Sequence, residues 1–427
     1  MSLRVSPLGK VWTMVSRFGL AAGLQTAAAQ WARSRFSAPR DILQEYGWIV
    51  KEEWPANLPT PKAGPLRINW VIPSIAKGSG GLLNIFRAIY YLEQWGHKNR
   101  LYTLGKWAAA GRGIQEFIQK SYFPIHAAIE VFNGQVEDSD ALVATNWMTA
   151  YAVRGLANTA QKFYFVQDLE YYFHAEGSLA EFARETYRWG FKGITLGSWI
   201  ADVLQRDFGM SCSAFGFSYD RETYNCIEAR KHLRKKKRLV FYARPNTERR
   251  GFELGILALS LVAKKMPDTE FVLVGFSPPR SMRFPFTATL PGIVPPPELA
   301  RMYRQSDVAL VLSHTNLSML PLELMACGCP VVSNAGANVE WLLSDEVVQL
   351  ARLTPQSLAA AILRLLEDDE FRRKKAVAGL AFAEQTRWEF EIRKIEDALY
   401  KGVGISPDSV QQDIVSPPRK ALLATLS

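Results

Sequence analysis

One glutamate and three arginines stand in this sequence where their types and spacing suit a charged ligand that also carries hydroxyls. Glu323 lies in Pro321-Leu322-Glu323-Leu324, after an apolar run at 308–313 and the polar turn His314-Thr315-Asn316. Pro321 fits the first turn of a helix, where a missing N–H costs nothing. Gly328 suits the helix end, and Pro330-Val331-Val332-Ser333 is a second apolar strand. The spacing predicts strand, turn, short helix over 322–327, strand. The turn and the first N–H groups of such a helix can hold an anion. An ionised carboxylate only accepts hydrogen bonds, so Glu323 suits two neighbouring hydroxyls. Phosphate beside a diol describes a nucleotide.

The arginines follow the same logic. Arg244 ends a strand read over 238–244, and Arg249-Arg250-Gly251 open a helix read over 252–265. Guanidinium groups at a helix N-terminus make a diphosphate clamp, with bidentate geometry added to the helix dipole. Nearer the N-terminus, a strand from Leu66, the turn Lys77-Gly78-Ser79-Gly80-Gly81, a helix at 82–95 and a strand at 100–104 form a βαβ unit. Gly80 and Gly81 let the backbone approach a ligand. No G-x-G-x-x-G is present, which disfavours a dinucleotide site. Strands at 141–145 and 162–166 end at Asn146 and at Gln167-Asp168-Leu169-Glu170. Functional groups in open parallel sheets gather at the carboxyl ends of strands. That rule singles out Asn146, Gln167, Asp168 and Glu170, although helix capping or loop solvation would also use such acids.

The whole chain must position these groups. Its 427 residues suggest two or three domains. A hydrophobic share of 48% and a charged share of 22% are those of a globular protein with a large core. Four cysteines make no disulfide framework, and Cys327-Gly328-Cys329 is too close-spaced for a usual zinc pair. No apolar run reaches the roughly 18 residues of a spanning helix. The net charge of +10 points to an anionic partner, and no nucleic-acid recognition motif accompanies it. Residues 1–40 hold six basic residues and no acid, interleaved with Trp12, Phe18 and Trp31. They read as an interfacial amphipathic helix or as a helix on the globular body. Residues 55–65 read as a linker, and RKHLRKKKR at 230–238 as a basic run between domains. A Pro- and Ser-rich tail follows Ile405.

The run PLELMACGCPVVSN resembles the nucleotide-sugar site of the retaining glycosyltransferases of family four. The resemblance implies the GT-B architecture: α/β, two facing Rossmann-like domains, here with an N-terminal helical extension. It divides the chain into a basic extension (1–65), an acceptor domain (66–220) and a hinge (221–237). A nucleotide-sugar domain (238–385), a crossover helix (386–404) and the tail follow. It implies that Glu323 holds the donor ribose. Thr315 falls where the family has an earlier Glu, and Asn316, Leu317, Ser318 and Met319 replace its glycine-rich turn before Leu320. Arg244 and Arg250 match the family's Arg…Lys-Gly pair, with Arg249 beside them, and would stabilise the leaving diphosphate. Gly80 and Gly81 would face the donor phosphates or the acceptor, and the backbone at Ile293 or Val294 the base. Gln167-Asp168 stands where a His-Asp pair commonly ends a strand. Asp168 is therefore the expected catalytic acid, with Asn146, Gln167 and Glu170 on the acceptor side.

The resemblance further implies no metal and no cofactor, and no DxD-like pair sits at a strand end. It implies a saccharide or lipid-linked acceptor in bacterial surface polysaccharide synthesis, and a cytoplasmic enzyme on the inner face of the plasma membrane. The Pro-Leu-Glu form of the motif is similar to a rhamnosyltransferase subgroup. With the less charged, more apolar turn at 315–320, it suggests a 6-deoxyhexose such as rhamnose carried on dTDP. A nucleotide-sugar epimerase, or an inactive sugar-nucleotide-binding homologue, would share the fold.

Overall fold

The structure is a computed structural model that describes residues 41–51, 58, 61, 63–76, 78–105, 112–226, 236–279 and 281–405. The expectations for residues 1–40, for most of the basic run and for the tail lie outside the described residues. The chain forms two compact units, Met1–Glu52 and Glu53–Ser427. The described part of the first contains the short helix Ile42–Tyr46, capped by Asp41, whose carboxylate accepts from the Gln44 N–H at 3.0 Å.

The second unit is built on two all-parallel sheets. The first contains β1 (Arg67–Ile72), β2 (Lys98–Thr103), β3 (Ala128–Val131), β4 (Ser139–Ala144), β5 (Thr159–Val166), β6 (Lys192–Leu196) and β7 (Cys212–Phe215). Their spatial order is β3-β2-β1-β4-β5-β6-β7. The second contains β8 (Arg238–Tyr242), β9 (Glu270–Val274), β10 (Ala288–Gly292), β11 (Val308–Val311), β12 (Val331–Asn334) and β13 (Gln349–Ala351). Their order is β10-β9-β8-β11-β12-β13. Helices cover both faces of a parallel sheet, so its central strands read as continuous apolar runs. All four residues of β11 are buried.

Five helices matter for the site: α1 (Gly80–Gln94), α2 (Trp147–Arg154), α3 (Phe252–Lys265), α4 (Leu320–Ala326) and α5 (Trp388–Gly402). Strand order reverses between β1 and β4 in the first sheet and between β8 and β11 in the second. Crevices open at the carboxyl ends of strands at such reversals. The loops from β8 to α3 and from β11 to α4 therefore flank the second crevice. Helix α5 returns to the first sheet: Glu391 accepts the Gly216 N–H, Glu396 meets His97, and the Tyr400 hydroxyl donates to the Gly64 carbonyl at 3.1 Å.

Several boundaries differ from the sequence expectation for local reasons. Ser79 caps α1 by accepting the Leu82 N–H, so Gly80 and Gly81 form the first helical turn and not a free glycine loop. Strand β10 ends before Ile293 and Val294, the residues whose backbone is expected from the sequence to meet the base. Gly292, at φ +79°, ends it, leaving Ile293 79% exposed beyond the strand. Helix α4 begins at Leu320, with Met319 already helical in φ and ψ as its N-cap. Gly328 takes the left-handed conformation (φ +71°) just past its C-cap, as a glycine there is free to do.

Candidate active site at the seam between the two sheets

The strand ends of the two sheets face each other, and polar groups from both meet there. Asp168, after β5, is buried. Its Oδ2 accepts the Thr315 hydroxyl at 2.7 Å, and its Oδ1 accepts the N–H of Asn316 at 3.0 Å and of Leu169 at 2.9 Å. Asn316 completes the tie. Its Nδ2 donates to the carbonyls of Gln167 and Leu196, and its Oδ1 accepts from the Leu317 N–H and the Trp341 indole N–H. Burial raises the Asp168 carboxyl above the ordinary value, while the bonds from Thr315 and Asn316 and the charges of Arg250 and Arg249 oppose the rise.

This geometry changes the reading of Thr315 and Asn316. Their polar hydrogens and the Asn316 Oδ1 are engaged in joining the halves, so neither offers a free donor to a sugar, and only the Thr315 hydroxyl oxygen keeps an accepting lone pair. Gln167 is also tied down: its Oε1 accepts from Asn84 and its Nε2 donates to the Gly81 carbonyl. A Cβ at Gly81 would stand 3.4 Å from the Gln167 Nε2, an ordinary contact. Asn146 is a helix cap: its Oδ1 accepts the Thr149 N–H and the Thr149 hydroxyl oxygen accepts the Asn146 N–H. Glu170 sits at the same helix start. Its Oε2 accepts the Trp147 N–H at 2.5 Å and the Tyr164 hydroxyl at 2.9 Å, and burial pushes its carboxyl up to about 8.

The arginines form a cluster at the crevice of the second sheet. Gly251, in the left-handed conformation at φ +59°, lets the short 3-10 turn Glu248–Arg250 break into α3. Arg244 is exposed, with its guanidinium 5.7 Å from the centre of the Tyr242 ring. Arg249 lies 4.1 Å over the Phe173 ring and its Nε is 3.6 Å from the Asp168 Oδ2. That Nε is buried without a hydrogen-bond partner. Arg250 donates from Nη1 to the Ser313 hydroxyl at 2.7 Å and to the Asn316 carbonyl at 3.1 Å. Burial pushes Arg250 down to about 10, and the positive charges of Arg249 and Arg244 push the same way. Three guanidinium groups thus repel one another at one helix start, an arrangement that favours an anion between them.

Glu323 occupies the first turn of α4, half-buried, and accepts no hydrogen bond from the described residues. Burial pushes its carboxyl up to about 7, against the opposing charge of Arg87. Ser318 and Met319 are half-buried at the start of α4, beside Leu320. Val294 lies half-buried after β10. Among the described residues, no group of three His, Cys, Asp or Glu side chains could hold a metal ion, and no helix is long and apolar enough to cross a membrane.

Sequence reasoning missed Arg87, which is buried on α1 and faces this seam. A single arginine within Leu-Leu-Asn-Ile-Phe-Arg-Ala-Ile-Tyr-Tyr-Leu, two turns after Gly80, was the available signal. It also missed Asn338, whose Nδ2 donates to the carbonyls of Ser313 and Thr315 and fixes the turn before α4.

Comparison with known proteins agrees with this geometry. Residues 237–363 match the family described as WsaF, C-terminal domain. The chain is 31% identical over 281 residues to the O-antigen biosynthesis protein RfbC of Myxococcus xanthus, which covers 65% of this chain and 22% of RfbC. It spans less than half the length of the curated relatives it matches. Among solved structures, the sucrose-phosphate synthase of Thermosynechococcus elongatus superposes with a TM-score of 0.59 at 16% identity, over 78% of this chain and 98% of that one. HepE of Anabaena, solved in complex with UDP and glucose, gives 0.57 at 16% identity, over 79% and 98%. Two parallel sheets joined by a returning helix, with these structural likenesses, give the chain the GT-B fold.

Proposed function

We propose that this chain is a glycosyltransferase that moves a sugar from a nucleoside diphosphate donor to an acceptor hydroxyl in the assembly of a surface polysaccharide. The observation that carries this reading is the Arg244–Arg249–Arg250 cluster at the start of α3, facing across one crevice the turn that leads to Glu323. The guanidinium groups would bind the diphosphate and stabilise charge growing on it as the glycosidic bond breaks. Such a cluster does the electrostatic work that a metal would otherwise do, so no metal or cofactor is part of the proposal. Glu323, with open lone pairs, would accept from the two ribose hydroxyls. The name of RfbC supports a role in O-antigen assembly, and the UDP and glucose bound by HepE support a nucleotide donor.

Further parts of the proposal follow from chemistry. Transfer proceeds with retention at the anomeric carbon, and the acceptor is a saccharide or lipid-linked glycan bound on the first-sheet side, beside Asp168 and Glu170. The donor is dTDP-rhamnose, because the turn before α4 carries Leu317, Met319 and Leu320 and no free carboxylate. The protein works in the cytoplasm on the inner face of the plasma membrane. A second reading, a nucleotide-sugar-binding homologue without turnover, is favoured by one observation: the Thr315 hydroxyl is engaged by Asp168. Calorimetric titration with UDP, GDP and dTDP tests the donor reading. Binding to at least one, weakened in Glu323→Ala, is expected; a folded protein that binds none overturns it.

A further inference from the structure

Arg87 is 6% exposed, yet no carboxylate lies within hydrogen-bonding distance of it among the described residues. Its Nη1 donates to the Asn84 Oδ1 at 3.0 Å and approaches the Met319 Sδ at 3.8 Å, across the seam. Its guanidinium stacks 3.9 Å over the Trp388 ring of α5 and lies 5.2 Å from the centre of the Phe123 ring. A buried charge is stable only when another charge or dipole answers it. Gly80, Asn84 and Arg87 lie on one face of α1, at helical spacing. That face meets Met319, whose carbonyl accepts the Glu323 N–H at 3.2 Å one turn into α4.

We propose that Arg87 is a positioning residue for the nucleotide: carried by the first sheet, its guanidinium holds Glu323 of the second sheet as a carboxylate ready to accept the two ribose hydroxyls. The inference rests on the reading of Glu323 as the ribose ligand. It adds that the site is incomplete in the second half alone, and that nucleotide affinity depends on a residue that need not touch the nucleotide.

The charges around Glu323 make this selective. Arg87 is the group that favours its ionised form, whereas Asp220, after β7, disfavours it. Tyr224, in the same segment, Tyr303, on the helix Pro296–Arg304, and Cys327, at the end of α4, also face Glu323, and each is held in its protonated form by burial. Behind Arg87, Tyr91 donates to Glu389 at 3.3 Å, and burial keeps that phenol protonated too. The carboxylate raised by burial to about 7 must lose its proton to bind the diol. Nucleotide binding should therefore weaken as pH falls through 7. Removing Arg87 should move that loss to higher pH.

The test is the affinity of whichever of UDP and dTDP the parent binds more tightly, measured from pH 6 to 9 in the parent, Arg87→Gln, Arg87→Lys and Glu323→Ala. Arg87→Gln is expected to bind about fivefold more weakly than the parent at pH 7 and within about twofold at pH 9, with Arg87→Lys between them. A weakening that is equal at every pH, or none, overturns the role of Arg87 and leaves Glu323 as the ribose ligand. If Glu323→Ala binds as the parent does, or the parent binds neither nucleotide, the underlying reading fails and the inference fails with it. Should Arg87→Gln not fold, Arg87→Met, a neutral side chain that can still pack on the Trp388 ring, carries the same test, and an unchanged pH profile overturns the proposal.

Discussion

Asp168 of the first sheet accepts the hydroxyl of Thr315 of the second at 2.7 Å, across 147 residues of chain. The carboxylate expected to act on a substrate is thus also a fastener between the two halves. Both roles use the same atoms, so an acceptor that reaches Asp168 must displace or share the Thr315 contact.

Asp168→Ala should leave the Thr315 hydroxyl and the Asn316 N–H without their partner in a buried setting. A loss of about 2–4 kcal/mol in unfolding free energy is expected from such unmet groups. Denaturant titration measures it. Thr315→Val, which removes one of the bonds, should cost less than half as much.

Arg244 and Arg250 should separate by stability and join in catalysis. Arg244 is exposed, so Arg244→Ala should leave the melting temperature unchanged. Arg250→Ala removes bonds to Ser313 and Asn316 and should cost about 1–3 kcal/mol. Each should lower kcat about 100-fold if it stabilises the leaving diphosphate. The double variant should fall short of the product of the two losses, because both act on one group. Steady-state kinetics with chelator present would measure this.

Glu170 gives a pH dependence with a definite sign. Its carboxyl is raised to about 8 in the folded protein, above its unfolded value near 4.5. An acid of this kind contributes stability that is full below the unfolded value and is lost as pH rises through 8. The parent should therefore lose melting temperature between pH 5 and 9 faster than Glu170→Gln, whose amide oxygen can still accept from Trp147 and Tyr164. Parallel curves would show that Glu170 does not titrate in that range.

The fold was legible because its signals are local. Apolar strands, Pro321 at a helix start and Gly328 at its end mark β11, α4 and β12 within about 25 residues, and the order of such units implies parallel sheets. The arginine cluster was legible for the same reason, since Arg244, Arg249 and Arg250 lie in the one short connection between β8 and α3. The seam was not. Thr315 and Asn316 read as ligand contacts because their partners, Asp168, Gln167 and Leu196, lie more than 100 residues away. Asn146 and Glu170 read as site groups because strand-end polar residues look alike, whether they meet a ligand or cap α2. Arg87 was hidden by its apolar neighbours; its charge is answered only across the seam.

The returning helix α5 has its own dependence on a buried pair. His97 accepts the Leu66 N–H at Nδ1, 3.0 Å, so its proton is on Nε2, which donates to Glu396 at 2.8 Å. Arg393 donates to the second oxygen of Glu396 at 2.5 Å. Burial alone would raise the Glu396 carboxyl, but these bonds outweigh it and hold it below the ordinary value. Its contribution is present above the unfolded carboxyl value and is lost as pH falls through the folded one. Glu396→Ala should destabilise the protein by about 3 kcal/mol, the usual cost of removing one partner of a buried pair. Thermal unfolding at pH 7 would show it, and the deficit should shrink below pH 4.

The most direct measurement of the central claim is release of nucleoside diphosphate from a panel of nucleotide sugars by the purified protein, with Arg250→Ala and Glu323→Ala as controls. Slow release from at least one donor, fastest from dTDP-rhamnose and lost in both variants, is the expected result. Release from UDP-glucose or GDP-mannose in preference would contradict the deoxysugar donor alone. No release from any donor by a folded protein, with or without saccharide acceptors, would contradict the glycosyltransferase itself.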